Sequence, residues 1–114
     1  MWDIIILPHF KRCLKPLVKK HRDLFDQVVL SLKEFDEGIA TKIIEKVYKI
    51  RISPKSLKKG KSRALRLYVL ALEVNNQLVP VTIYAKSDKQ NLSKRELDMH
   101  LEIILTELTS SKDT

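Results

Sequence analysis

Apolar residues recur along this chain with two different periods, and the switch between them outlines the fold. Asp3–Leu7 is a short Ile-rich run closed by Pro8 and reads as a buried strand. From His9 to about His21, the residues Phe10, Cys13, Leu14, Leu17 and Val18 recur at helical spacing. Pro16 sits inside that pattern, where a missing donor and a crowded turn predict a kink or an early stop. A second helix is expected from Asp23 as N-cap, with Phe25, Val28, Val29, Leu32 and Phe35 as its stripe and Gly38 marking its end. Then the period falls to two. Tyr48-Lys49-Ile50-Arg51-Ile52 alternates strictly, so Lys49 and Arg51 leave one face of a strand while Ile50 and Ile52 turn to a core. After a basic loop over Ser53–Ser62, Ala64–Val74 is nearly all apolar, as expected of a strand covered on both faces, and Arg66 shares a face with Tyr68. Val74–Leu78 predicts a tight hairpin on asparagines, which tolerate positive φ. The return strand Leu78–Lys86 contains Pro80, which calls for a bulge or a free edge there. Ser93-Lys94-Arg95-Glu96 is a capping box, in which each side chain satisfies an otherwise orphaned amide. It opens a helix with Leu97, Leu101, Ile104, Leu105 and Leu108 on one face, followed by a polar tail after Thr109 that is expected to fray.

The predicted order is β-α-α-β-β-β-α. This is an α+β fold, with two N-terminal helices and one C-terminal helix on a small, mostly antiparallel sheet of about four strands. At 114 residues, residues 1–114 form one domain with one core, and 2 Gly and 4 Pro leave little room for linkers. The apolar runs Ile4–Leu7 and Leu67–Leu72 are too short to span a bilayer, and no signal-peptide pattern opens the chain. Cys13, the single cysteine, has no partner for an internal disulfide, which fits a reducing cytoplasm. Its register with Phe10, Leu14 and Leu17 makes it a small buried hydrophobe. His9, His21 and His100 show no partner at metal-ligand spacing in the sequence. With no glycine-rich phosphate loop and no paired carboxylates, neither a metal nor a cofactor is expected.

Charge changes the picture. The chain has 22 Lys+Arg against 14 Asp+Glu, and between Glu45 and Glu73 it carries nine basic residues and no acidic one. Without those nine, 13 basic residues face 14 acidic ones, so the imbalance lies in one segment. Cations concentrated this way form a surface for a polyanion, most often nucleic acid, whereas a solubilising loop is the plainer alternative.

The second half also resembles a known family. The ordered set Tyr48-Lys49-Ile50-Arg51-Ile52, the loop Lys58-Lys59-Gly60-Lys61-Ser62, Arg66 entering an apolar strand, and Ile83-Tyr84-Ala85-Lys86-Ser87-Asp88-Lys89 is similar to the RelE/HigB branch of the RelE/ParE toxin superfamily. Pro8-His9-Phe10-Lys11-Arg12 resembles the start of that family's first helix, so the likeness runs over roughly residues 3 to 108. The resemblance implies the toxin of a type II toxin–antitoxin pair, a ribosome-dependent mRNA endoribonuclease. It would work without a metal in the cytoplasm, as a hetero-oligomer with an acidic antitoxin when neutralised. Lys49, Arg51, Arg66 and Lys86 match or lie near the family's basic catalytic positions, and Lys49, crowded by Arg51 and Arg66, is the candidate base. Fixed cations aimed at the scissile phosphate stabilise the pentacoordinate transition state, each well-placed donor being worth about 3 kcal/mol. Lys55, Lys58, Lys59, Lys61, Arg63 and Lys89 would hold mRNA or rRNA phosphates, and Tyr84 would stack on a base. Tyr68, inside an apolar run, is placed for packing as much as for stacking.

The chain also departs from the family. Arg63 and Ala64 stand where glycines often precede the strand arginine, no tyrosine follows Tyr84, and His100 falls inside the capped helix, so no general acid is assigned. Two alternatives share the fold: a ParE-like, non-enzymatic inhibitor of DNA gyrase, and a catalytically degenerate nucleic-acid-binding module.

Overall fold

The computed structural model describes residues 2–55, 64–86, 89 and 91–112. Its elements in chain order are β1 (Asp3–Ile4), α1 (Pro8–Lys20), α2 (Leu24–Lys33), β2 (Thr41–Ile44), β3 (Val47–Ile52), β4 (Leu65–Leu72), β5 (Gln77–Ala85) and α3 (Lys94–Lys112). The α+β class is as expected. The sheet, however, has five strands in the order β1-β5-β4-β3-β2, with one parallel pair, β1 against β5, and antiparallel pairing elsewhere.

Strand alternation divides the core in two. On one face, Tyr48, Ile52, Leu65, Leu67, Val69, Ala71, Leu78 and Ile83 pack with Phe10 and Leu14 of α1 and Leu24, Val28 and Leu32 of α2. On the other, Val47, Tyr68, Leu70, Val79 and Val81 pack with Leu97, Ile104 and Leu108 of α3. The central strand β4 is buried from Leu65 to Ala71, which explains its continuous apolar run. Pro80 marks a bulge: Tyr68 pairs with Thr82 and Val69 with Pro80, leaving Val81 as the extra residue. The β4–β5 connection is a single 3₁₀ turn, Glu73–Asn75, closed by Asn76 at φ 54, the positive value expected of asparagine. Ser93 and Glu96 make the reciprocal capping bonds, Ser93 N–H to Glu96 Oε1 at 3.0 Å and Glu96 N–H to Ser93 Oγ at 3.1 Å.

Several expectations are corrected. β2 is additional and joins β3 through the two residues Glu45 and Lys46, with Lys46 at φ 68. Only Asp3 and Ile4 of the first strand pair with the sheet, through Gln77 and Leu78. α1 runs to Lys20, close to the limit its apolar spacing predicts, and does not stop early at Pro16. Asp23 makes no side-chain capping bond; its Oδ2 accepts instead from the Lys55 N–H at 2.8 Å, tying the end of β3 to α2. Gly38 lies beyond the helix in a turn, and its φ is not positive, so it does not take the left-handed cap conformation. The buried stripe of α2 runs through Leu24, not Phe25, which is 46% exposed, and Leu105 of α3 is 48% exposed. α3 continues through Thr109 to Lys112. Most of the basic loop expected over Ser53–Ser62 lies outside the described residues. No helix among the described residues is long and apolar enough to cross a membrane.

Candidate nucleic-acid interface

Alternation on β3 sends Lys49 and Arg51 to the α3 side of the sheet, and register carries the pattern across two more strands. Arg51 pairs with Arg66, and Arg66 with Tyr84; one step along, Lys49 pairs with Tyr68, and Tyr68 with Thr82. Residues directly opposite one another share a face, so six side chains form two short rows on it. α3 covers that face where Tyr68, Leu70, Val79 and Val81 pack against it. The cations lie toward the end of the strands where β3 finishes and β4 begins. Register between neighbouring strands therefore puts Lys49, Arg51 and Arg66 on one face of the sheet.

The members of this cluster are not equally wet. Arg51 is exposed and Lys49 half-buried, with Lys49 Nζ donating to Asn91 Oδ1 at 3.2 Å. Arg66 is only 6% exposed, and its Nη1 has no hydrogen-bond partner among the described residues. None of Lys49, Arg51, Arg66 or Lys86 has a carboxylate partner among the described ion pairs, which join Arg12 to Glu107, Lys42 to Glu45 and Lys89 to Glu96. Like charges directly opposite on neighbouring strands repel. An anion at this spot would relieve both that repulsion and the unfilled donor on Arg66.

Tyr84 is half-buried, its hydroxyl donating to the Tyr68 hydroxyl at 3.5 Å, and the two ring centroids are 6.0 Å apart. Burial, followed by that hydroxyl contact, raises Tyr84 well above the ordinary phenol range, so it remains a neutral donor at physiological pH. Tyr68 is 2% exposed and belongs to the core. Lys86 follows β5, its N–H donating to the Ala64 carbonyl at 3.2 Å, which fixes it beside the start of β4. Lys55 is exposed just past β3. Lys89, expected at a phosphate, is ion-paired with Glu96. Lys58, Lys59, Lys61 and Arg63 lie outside the described residues.

A cavity of about 350 Å³ opens between the α2–β2 connection and β3, with Phe35, Ile39 and Ile50 in its wall beside Lys49 and Arg51. Glu34 and Asp36 also line it, which makes it a poor seat for phosphate.

The structure also gathers residues that the sequence did not connect. His9 and Cys13, one turn apart on α1, meet His100 of α3: His9 Nε2 is 2.7 Å from His100 Nδ1 and 3.8 Å from Cys13 Sγ. Cys13 is half-buried rather than a core residue. Burial lowers both imidazoles, with Glu107 opposing the effect at His9, while the neighbouring His9 adds to it at His100. The four-residue interval between His9 and Cys13 was readable as one helix face; the approach of His100, 91 residues away from His9, was not.

Compared with known proteins, the chain matches no protein-family model and no curated sequence.

Proposed function

We propose that this protein is a translation-inhibiting endoribonuclease of the RelE/HigB type, cutting mRNA on the ribosome through the RNA 2′-hydroxyl. One observation carries the reading: a buried guanidinium with an unfilled donor, Arg66, lies in register between Arg51 and Tyr84, with Lys49 one step along the same face. A scissile phosphate bound there would fill the free donor and separate the two arginines electrostatically. Arg66 and Arg51 would stabilise the charge that grows on the phosphoryl oxygens. Lys49, one step along the same face, would serve as the base, and Lys86, beside the start of β4, would add a further cation. Tyr84, held as a neutral phenol, offers a hydroxyl to the leaving group or an aromatic surface to a base. An acidic antitoxin segment would compete for the same cations.

Inducing the chain alone in bacteria and mapping mRNA 5′ ends tests this. New cuts within translated regions that vanish with Lys49→Ala/Arg51→Ala/Arg66→Ala are expected. Growth arrest with altered DNA supercoiling and no new cuts would favour the gyrase-type alternative, and neither cuts nor arrest would leave a plain binding module.

A further inference from the structure

We infer that His9, Cys13 and His100 form a zinc site that staples α1 to α3. His9 and Cys13 project from one face of α1 because they are four residues apart. His100 comes from α3, on the opposite side of the sheet, and the three potential ligand atoms lie within 4.8 Å of one another. Tetrahedral zinc, with bonds of about 2.0–2.1 Å to nitrogen and about 2.3 Å to sulfur, sets two nitrogens about 3.3 Å apart and nitrogen and sulfur about 3.6 Å apart. The Cys13 Sγ to His9 Nε2 separation of 3.8 Å is already close to that value. The 2.7 Å contact between the imidazoles is a hydrogen bond, so one ring donates the proton that the metal would replace. A small rotation of either ring opens the remaining distance. In the bound form His9 carries its proton on Nδ1 and His100 on Nε2, and the Cys13 thiol proton passes to solvent as the zinc–sulfur bond forms.

The donor set selects the ion. Two imidazoles and one thiolate suit borderline-soft Zn²⁺ and not the oxygen-seeking Mg²⁺ or Ca²⁺. All three residues are only half-buried, so an ion can enter and water can take the fourth position. The Glu107 carboxylate is adjacent, accepting from the His9 N–H at 2.9 Å and from Arg12 at 3.2 Å, and its negative charge favours a cation there. The site uses none of the residues assigned to RNA cleavage, so it stands or falls independently of that reading.

The test uses the full chain, kept reduced and stripped of metal, with Co²⁺ as a spectroscopic probe and Zn²⁺ as competitor. One equivalent of Co²⁺ should give the intense visible bands of tetrahedral cobalt and a thiolate charge-transfer band, and one equivalent of Zn²⁺ should abolish both. Cys13→Ser should remove the charge-transfer band. His100→Gln should weaken zinc binding more than about 100-fold, beyond what losing a group outside the ligand shell costs. Zinc should raise the thermal midpoint of the wild-type chain but not of His100→Gln, while metal-free melting of the two stays alike and His21→Gln binds as wild type. A weak, octahedral cobalt spectrum, or zinc binding that His100→Gln leaves unchanged, would overturn the site.

Discussion

Burying a guanidinium without a carboxylate beside it costs free energy that an apolar side chain of similar length would not. Arg66 is in that position, 6% exposed with Nη1 unpartnered among the described residues. Arg66→Met should therefore raise stability toward urea by about 1 kcal/mol while lowering RNA cleavage by about 10²–10³-fold, the usual loss for a transition-state donor. A variant that loses both stability and activity would mean that Arg66 is a structural residue. Glu96 shows the opposite economy. The Lys89 ammonium, then the Ser93 N–H, hold its carboxyl at about 2 against an ordinary value of 4.5. Because the folded value is the lower one, this contribution is complete above about pH 4.5 and is lost as pH falls toward 2. Glu96→Gln should flatten the pH dependence of the urea midpoint in that window, and an unchanged profile would show that another carboxylate controls it.

At the scale of the element, α3 is attached to the sheet by Leu97, Ile104 and Leu108, all buried, while Leu105 faces outward. Leu108→Ala should cost about 2–4 kcal/mol in urea unfolding and Leu105→Ala well under 1 kcal/mol. Equal losses would mean that the helix is rotated from this setting. The elements legible in the sequence were those whose signal is local. The alternation of Tyr48–Ile52, the capping box at Ser93 and the proline bulge on β5 each follow from a few consecutive residues. What escaped depended on partners far along the chain or on a one-residue shift. Thr41-Lys42-Ile43-Ile44 has no clear alternation, and its turn places Lys46 at φ 68, where a lysine gives no warning. The parallel pairing of β1 is set by Asn76 and Leu78 accepting from Asp3 and Ile5, contacts that no local pattern announces. In α2, Leu24 and Phe25 are adjacent apolar residues, and only the position of β3 and β4 decides which is buried. The same limit applied to the sites. Lys49 and Arg51 were readable as a pair from strand alternation, Arg66 joined them only through the β3–β4 register, and His100 joined His9 only through the packing of α3.

Across the whole molecule, the nine basic residues between Glu45 and Glu73 concentrate the positive charge in one segment, and the sheet sets three of them in register on one face. That face carries α3 over its apolar part and leaves cations toward the other end of the strands, where the proposed RNA would bind. The proposed chemistry is tested most directly with purified chain, translating ribosomes and a defined mRNA, reading the ends of any cut. Attack by the 2′-hydroxyl predicts a 5′-hydroxyl on one fragment and a 2′,3′-cyclic phosphate on the other. Cleavage should disappear when the nucleotide at the cut carries a 2′-deoxy sugar, and should fall by about 10²–10³-fold with Arg66→Met. An intact mRNA with the wild-type chain, or cutting at full rate with Arg66→Met or a 2′-deoxy sugar, would contradict it.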